Sequence, residues 1–181
     1  MGQPEVEVHR RVKDEFLRTN PRSPLNRADR ESFNTLEYFS YAAQFVVTGR
    51  LDRHPAPTPV ALPTTTGSER EMAEFGRVFF ELGGQPCTLT VFTQPDEDDP
   101  RAVFIPFRDA TTGRECYPGG RYLDAPLTGA SIALNFNLAY NPYCAYSRQW
   151  VCLIPPPENT LNVSVTAGER GFRKPGKPRD P

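Results

Sequence analysis

Val8, Val12 and Phe16 recur at four-residue intervals near the start of the chain, with Arg10, Arg11, Lys13, Asp14 and Glu15 between them. This spacing predicts an amphipathic docking helix that ends at Asn20-Pro21, because the residue before proline is pushed out of helical geometry. A second helical turn is expected over Asp29 to Phe33, with Asp29 as its N-cap. Period-two patterning takes over after the aromatic cluster Leu36, Tyr38, Phe39 and Tyr41. Phe45 to Leu51 and Thr58 to Leu62 read as strands, the second with prolines that suit an edge. In the clearest hairpin, Val78, Phe80 and Leu82 alternate with Phe79 and Glu81. After Gly83-Gly84, Cys87, Leu89 and Val91 alternate with Thr88 and Thr90. Val103 to Arg108, Arg114 to Tyr117, Arg121 to Leu123, Ser131 to Phe136 and Asn159 to Thr166 bring the expectation to eight or nine short strands. Gly and Pro punctuate them throughout. The predicted fold is mainly β, an antiparallel sandwich or partly closed barrel with one or two N-terminal helices.

Length and charge narrow the classes. The 181 residues suit one domain over 1–170, with a frayed, solvated tail expected over 171–181. With 21 basic against 22 acidic residues, no overall field favours nucleic acid or an anionic membrane. The first twenty residues are charged throughout, and nowhere do eighteen apolar residues run together, so the expectation is a soluble, cytoplasmic protein. The acidic run Asp96 to Asp99, bounded by Pro95 and Pro100, reads as a solvated turn and lacks EF-hand spacing.

The chain has only two histidines, His9 in the predicted helix and His54 in a proline-rich stretch. Triads, cysteine–histidine dyads and imidazole-based zinc sites therefore have little to build on. Cys144 and Cys152, with seven residues between them, are weak metal candidates without a second CxxC-like pair, and they read first as small apolar core thiols; a redox or nucleophilic role is the alternative. Cys87 and Cys116 read as packing. The richest constellation binds rather than titrates: Arg108, Asp109, Arg121, Asn135, Asn137, Tyr140, Asn141, Tyr143, Tyr146, Asn159 and Glu169. Asn135 and Asn137 are expected on one face of a strand, and Arg121 is expected either to pair with Asp109 or to offer its guanidinium fork to an anion. The competing expectation is that these side chains satisfy the backbone of a long irregular loop.

The stretches FRDATTGRECYPGGRYLD and NFNLAYNPYCAYSRQWVCLIPPPENTLNVSVTAGE resemble the signature of domain of unknown function family 1684. KDEFLRTNPRSPL and FNTLEYFSY resemble its opening. The resemblance implies no activity, because the family has none assigned. Two positions depart from its pattern: Asn135 stands where Asp is common before the Phe-Asn pair, and Cys116 where Thr is common. An amide does not ionise, so a general base at that first position would be lost here. The functional expectation is a small-ligand-binding β domain lined by Arg121, Asn135, Asn137, Tyr140, Asn141, Tyr146 and Asn159, with no cofactor. The alternatives are a hydrolase- or isomerase-type enzyme using Glu169 as general base with Asp109 behind it, and a purely structural signature.

Overall fold

The computed structural model describes residues 2–97 and 99–173. Asp98 of the acidic run, and most of the tail expected to fray, therefore lie outside the described residues.

Helix α1 spans Gln3–Thr19 and ends where Asn20 precedes Pro21. Its entry is capped by Glu5, whose carboxylate accepts from Gly2 N at 2.8 Å. The face it buries differs from the one the valine spacing predicts. Val8 and Val12 are exposed, whereas Val6 and Leu17 are fully buried. The stripe turned to the body is Val6, Arg10, Lys13 and Leu17, spaced for one helix face. Arg10 lies 4.6 Å over the Tyr38 ring, and Lys13 ion-pairs with Glu169. Cations with apolar stems take the place that a hydrophobicity count assigns to valine. Helix α2 spans Arg27–Ser32, and its N-cap is Asn26 rather than Asp29: the Asn26 side chain accepts from Asp29 N at 2.9 Å. Leu17, Leu25, Phe33, Leu36 and Tyr146 form a small core that fastens this N-terminal layer.

Six strands form one sheet: β1 (Val46–Pro63), β2 (Glu69–Leu82), β3 (Gln85–Thr93), β4 (Ala102–Phe107), β5 (Arg121–Pro126) and β6 (Ser131–Asn135). Their order is β5-β4-β3-β2-β1-β6, and each neighbouring pair is antiparallel. Leu127 bridges Ile132, bringing the two edges together into a nearly closed barrel. Full or near closure limits exposed strand edges.

The strands predicted over 45–51 and 58–62 are the two halves of β1, joined through a register shift between Arg53 and Thr58. Beyond Arg50, β1 has no registered pairing with β6, so Pro55, Pro57 and Pro59 cost no ladder bonds on that side. The β2–β3 hairpin turns at Gly83-Gly84, with φ of 59° and 74°. Two successive positive φ values match the right-handed strand twist, and only glycine adopts them without strain.

Two predicted strands are not strands. Over Arg114 to Tyr117 the backbone coils onto Thr111 O, which accepts from Arg114, Glu115 and Cys116 N, each at 3.1 Å. Asn159 to Thr166 makes one bridge, Arg108 to Thr160, and then runs irregularly. The described residues thus carry six strands rather than eight or nine.

Strand alternation divides the core in two. Leu89, Val91, Ile105 and Leu123 point into the barrel interior with Phe75, Val78 and Phe136. Phe92 and Tyr122 point the other way and pack with Leu62, Met72 and Leu153 beneath the irregular 140–155 segment. Each fully buried large apolar side chain contributes about 1.5–3 kcal/mol. The second cluster is what holds the 140–155 segment down on the outside of the sheet.

Candidate functional site

The polar residues of the signature separate into a buried lock and the wall of an open cleft. The lock starts at Arg121, the first residue of β5, which is completely buried. Its guanidinium donates to Val165 O at 2.8 Å, to Glu169 O at 3.2 Å and to Ala167 O, and it pairs with Asp109 Oδ1 at 3.3 Å. Asp109 accepts in turn from Val165 N at 2.7 Å and from Thr111 Oγ1 at 2.8 Å. The pairing of Arg121 with Asp109 is one of the two arrangements expected from the sequence. Its consequence is that the fork is spent on the carbonyls of the irregular 165–169 segment, which has no strand partner to take them.

Two carboxamides act the same way. Asn137 accepts from Ala42 N at 2.9 Å and donates to Ala42 O at 3.0 Å. Asn159 accepts from Thr90 N at 2.7 Å and donates to Thr90 O and Pro106 O, both at 2.8 Å. Asn159 closes a short 3-10 turn, Pro157–Asn159, that begins on consecutive prolines, so restricted φ angles aim its side chain. Asn135 ends β6 and caps the 3-10 turn Phe136–Leu138, its side chain accepting from Asn137 N at 3.2 Å. The two asparagines therefore touch, although Asn137 lies past the strand on which a shared face was predicted.

Glu169 is the hub between the lock and α1. It is 2% exposed, one oxygen paired with Lys13 and the other accepting from Asn141 N at 2.8 Å and Tyr146 Oη at 2.7 Å. Burial and this carboxylate hold the Tyr146 phenol well above its ordinary pKa, so it stays a donor. Gly168, with φ of 77°, brings the chain to Glu169; a Cβ there would lie 2.5 Å from Ala139 O. No other residue fits this approach.

The cleft lies on the outer face of the sheet, over the second core. It encloses about 440 Å³ between Met72, Phe104 and Tyr122 on the strands and Tyr140, Asn141, Tyr143, Trp150 and Cys152 on the irregular segment, with Arg70 and Gln94 at its edge. Tyr122 Oη donates to Leu153 O at 2.6 Å and Tyr140 Oη to Asp124 at 2.9 Å, while the Lys13 ammonium sits 4.8 Å from the Tyr140 ring centroid. Asn141 donates to Arg170 O at 2.7 Å, but its side-chain oxygen is buried without a hydrogen-bond partner. Arg70 is exposed and reaches Val151 O only at 3.4 Å.

Of the predicted ligand-binding residues, Tyr140 and Asn141 line this cleft. Arg121, Asn135, Asn137, Tyr146 and Asn159, with Asp109 and Glu169, do not. The sequence pattern did not single out Arg70 or Trp150. The lone tryptophan, set in a segment already rich in tyrosine, was the available signal; Arg70 had none, since it comes from a distant strand.

Cys152 lines the cleft, and its neighbour Cys144 donates its backbone N–H to Cys152 Sγ at 3.2 Å. Among the described residues no three His, Cys, Asp or Glu side chains gather closely enough to hold a metal ion, and no helix is long and apolar enough to cross a membrane.

The family model for proteins of unknown function DUF1684 matches residues 31–170, the span that holds both lock and cleft. The chain belongs to the DUF1684 family. Its barrel is also similar to the solution NMR structure of an uncharacterized protein from Haloarcula marismortui. That protein is 37% identical, with 92% of each chain covered and a TM-score of 0.73. No curated protein matches the chain. The DUF1684 assignment thus carries a fold and a signature without an activity, and chemistry has to be read from the side chains.

Proposed function

We propose that this DUF1684 protein binds a small planar molecule bearing an anionic group in the outer cleft. The observation that carries the reading is a cleft of about 440 Å³ lined by aromatic rings and by Asn141, whose side-chain oxygen is buried without a hydrogen-bond partner. A buried acceptor left unmade costs about 1–3 kcal/mol, which a ligand N–H or O–H recovers. The volume falls within the range of about 300–1,000 Å³ usual for small-molecule sites. The rings of Phe104, Tyr122, Tyr140, Tyr143 and Trp150 favour a flat apolar body, and the Arg70 fork at the edge favours a carboxylate or phosphate.

A general-base role for Glu169 has less support. The carboxylate is buried, committed to Lys13, Tyr146 and Asn141, and outside the set of residues lining the cleft. We assign Glu169 to the scaffold.

Trp150 is the sole tryptophan and reports on the cleft directly. Titrating aromatic carboxylates and aryl phosphates should quench or shift its fluorescence saturably. Arg70→Ala should weaken binding about tenfold or more while the melting temperature of the free protein holds, since the loss of one charge-assisted hydrogen bond is worth about 1.5–3 kcal/mol. Absence of any saturable response across the panel, or an Arg70→Ala response equal to that of the parent, overturns the reading.

A further inference from the structure

The four cysteines are all free, and they occupy two kinds of environment. Cys87 sits in the barrel core, its thiol 3.6 Å from Gln85 O. Cys116 is buried between Thr111 and the Glu169 carbonyl. Burial pushes both thiols up from the ordinary value and keeps them protonated and inert.

Cys152 is built differently. Its sulfur accepts from Cys144 N at 3.2 Å, and the neighbouring Cys144 thiol and Tyr143 backbone N–H favour its charged form. These donors come from the short 3-10 turn Tyr143–Ala145, which Pro142 precedes with φ of −63°. Arg70 lines the same cleft and adds positive potential. The Cys144 thiol, half-buried, accepts in turn from Tyr117 Oη at 3.6 Å. The Cys144 hydrogen bond lowers the Cys152 thiol below its usual value and raises that of Cys144. One sulfur is thus arranged to hold charge and its neighbour to hold a proton. Both can be reached: Cys152 lines the aromatic cleft, and Cys144 lines a second cavity of about 520 Å³ with Tyr117 and Arg148.

We propose that Cys144 and Cys152 form a redox-active dithiol, in which Cys152 reduces a small hydroperoxide and Cys144 resolves the product to a disulfide. In the first step the Cys152 sulfur attacks the terminal, hydroxyl oxygen of ROOH. An S–O bond forms, the O–O bond breaks, and ROH leaves after taking a proton. In the second step the Cys144 sulfur attacks that of Cys152. An S–S bond forms, the S–O bond breaks, and the hydroxyl departs as water with the Cys144 proton. Two thiols lose two electrons and two hydrogens; the hydroperoxide becomes an alcohol and water. A small oxidant suits a nucleophile set in a cleft wall rather than on the surface. With two sulfurs and no third ligand among the described residues, the pair is assigned to redox chemistry rather than to metal binding. This inference stands whether or not the cleft also holds an organic ligand.

The test treats the fully reduced chain with one equivalent of hydrogen peroxide, blocks remaining thiols with N-ethylmaleimide under denaturing conditions, and maps peptides by mass spectrometry. The expected product links Cys144 to Cys152, leaves Cys87 and Cys116 blocked by maleimide, and reverts with dithiothreitol. Cys144→Ser should stop at a dimedone-trappable sulfenic acid on Cys152. Cys152→Ser should slow peroxide consumption about tenfold or more, as expected when the activated thiolate is removed. Alkylation of Cys152 by iodoacetamide should reach half its maximal rate below the usual thiol value of about 8.5, and Cys144→Ser should move that midpoint upward. The parent protein decides the matter even if a variant fails to fold. Oxidation spread over all four cysteines, a sulfenic acid first on Cys144, or an ordinary thiol midpoint at Cys152 each overturns the proposal.

Discussion

The buried lock and the open cleft are made from the same kinds of side chain, contributed largely by the same stretch of chain, and they differ in what those side chains have left to give. Arg121 and Asn159 place their donors on backbone carbonyls far away in the chain, Arg121 on the irregular 165–169 segment and Asn159 on Thr90 of β3 and Pro106 of β4. Asn141 and Arg70 also touch backbone, yet one keeps a buried oxygen without a partner and the other an exposed guanidinium. Residue type therefore does not separate scaffold from site in this fold. Unspent hydrogen-bonding capacity does.

The contrast can be broken most severely at the lock. Arg121→Met leaves Asp109 buried and unpaired, and breaking a buried pair from one side costs about 3–5 kcal/mol. Urea denaturation should show that loss, and the double variant Arg121→Met with Asp109→Asn should recover part of it. If the single variant were as stable as the parent, the lock would not be holding the 165–169 segment.

Next in size is Asn159→Ala, which strands the Thr90 amide and two carbonyls inside the protein. The expected cost is about 2–3 kcal/mol, read as a lower denaturation midpoint with an unchanged slope. Asn137→Ala, which releases Ala42, should follow it closely. Cleft residues should behave in the opposite way. Arg70→Ala lies on the surface and should change stability by no more than about 0.5 kcal/mol, while it alters the fluorescence response of Trp150 to ligand.

The smallest effect tests the cleft wall. Asp124 is exposed, yet partial desolvation by its neighbours raises its carboxyl above the ordinary value, and the hydrogen bond from Tyr140 pulls it partly back. Tyr140→Phe should therefore raise the Asp124 midpoint further, as followed by carboxyl NMR titration. The sign for stability follows from the raised value: the contribution is fully present below the unfolded value of about 3.9 and is lost as pH rises through the folded one. A midpoint that falls in Tyr140→Phe would show that the hydroxyl does not hold the charged form.

Local signals were legible without the fold. The Gly83-Gly84 turn, the alternation through β2 and β3, and the stop of α1 at Asn20-Pro21 each depend on neighbours within a few residues. So does the density of Asn, Tyr and Pro between residues 135 and 169. Its division was not legible. Asn159 and Asn141 look alike in sequence, and only the position of Thr90 on β3 and of the cleft beside Tyr140 tells them apart. The orientation of α1 was hidden for a related reason: Lys13 faces inward because Glu169, from the far end of the described chain, waits there. A count of apolar residues places Val8 and Val12 on that face instead.

By itself, then, the sequence determined the β class, the main hairpin, the helix limits and a polar signature, because φ preferences and side-chain periodicity act over short stretches of chain. Tertiary structure alone decided which polar groups are spent and which remain available. It seats Arg121 under the 165–169 carbonyls, brings Arg70 of β2 to the cleft that Trp150 lines, and sets Cys144 against Cys152. A hydrogen-bond donor carries no mark of its acceptor in the sequence. The match exists only once the barrel has brought distant backbone within about 3 Å.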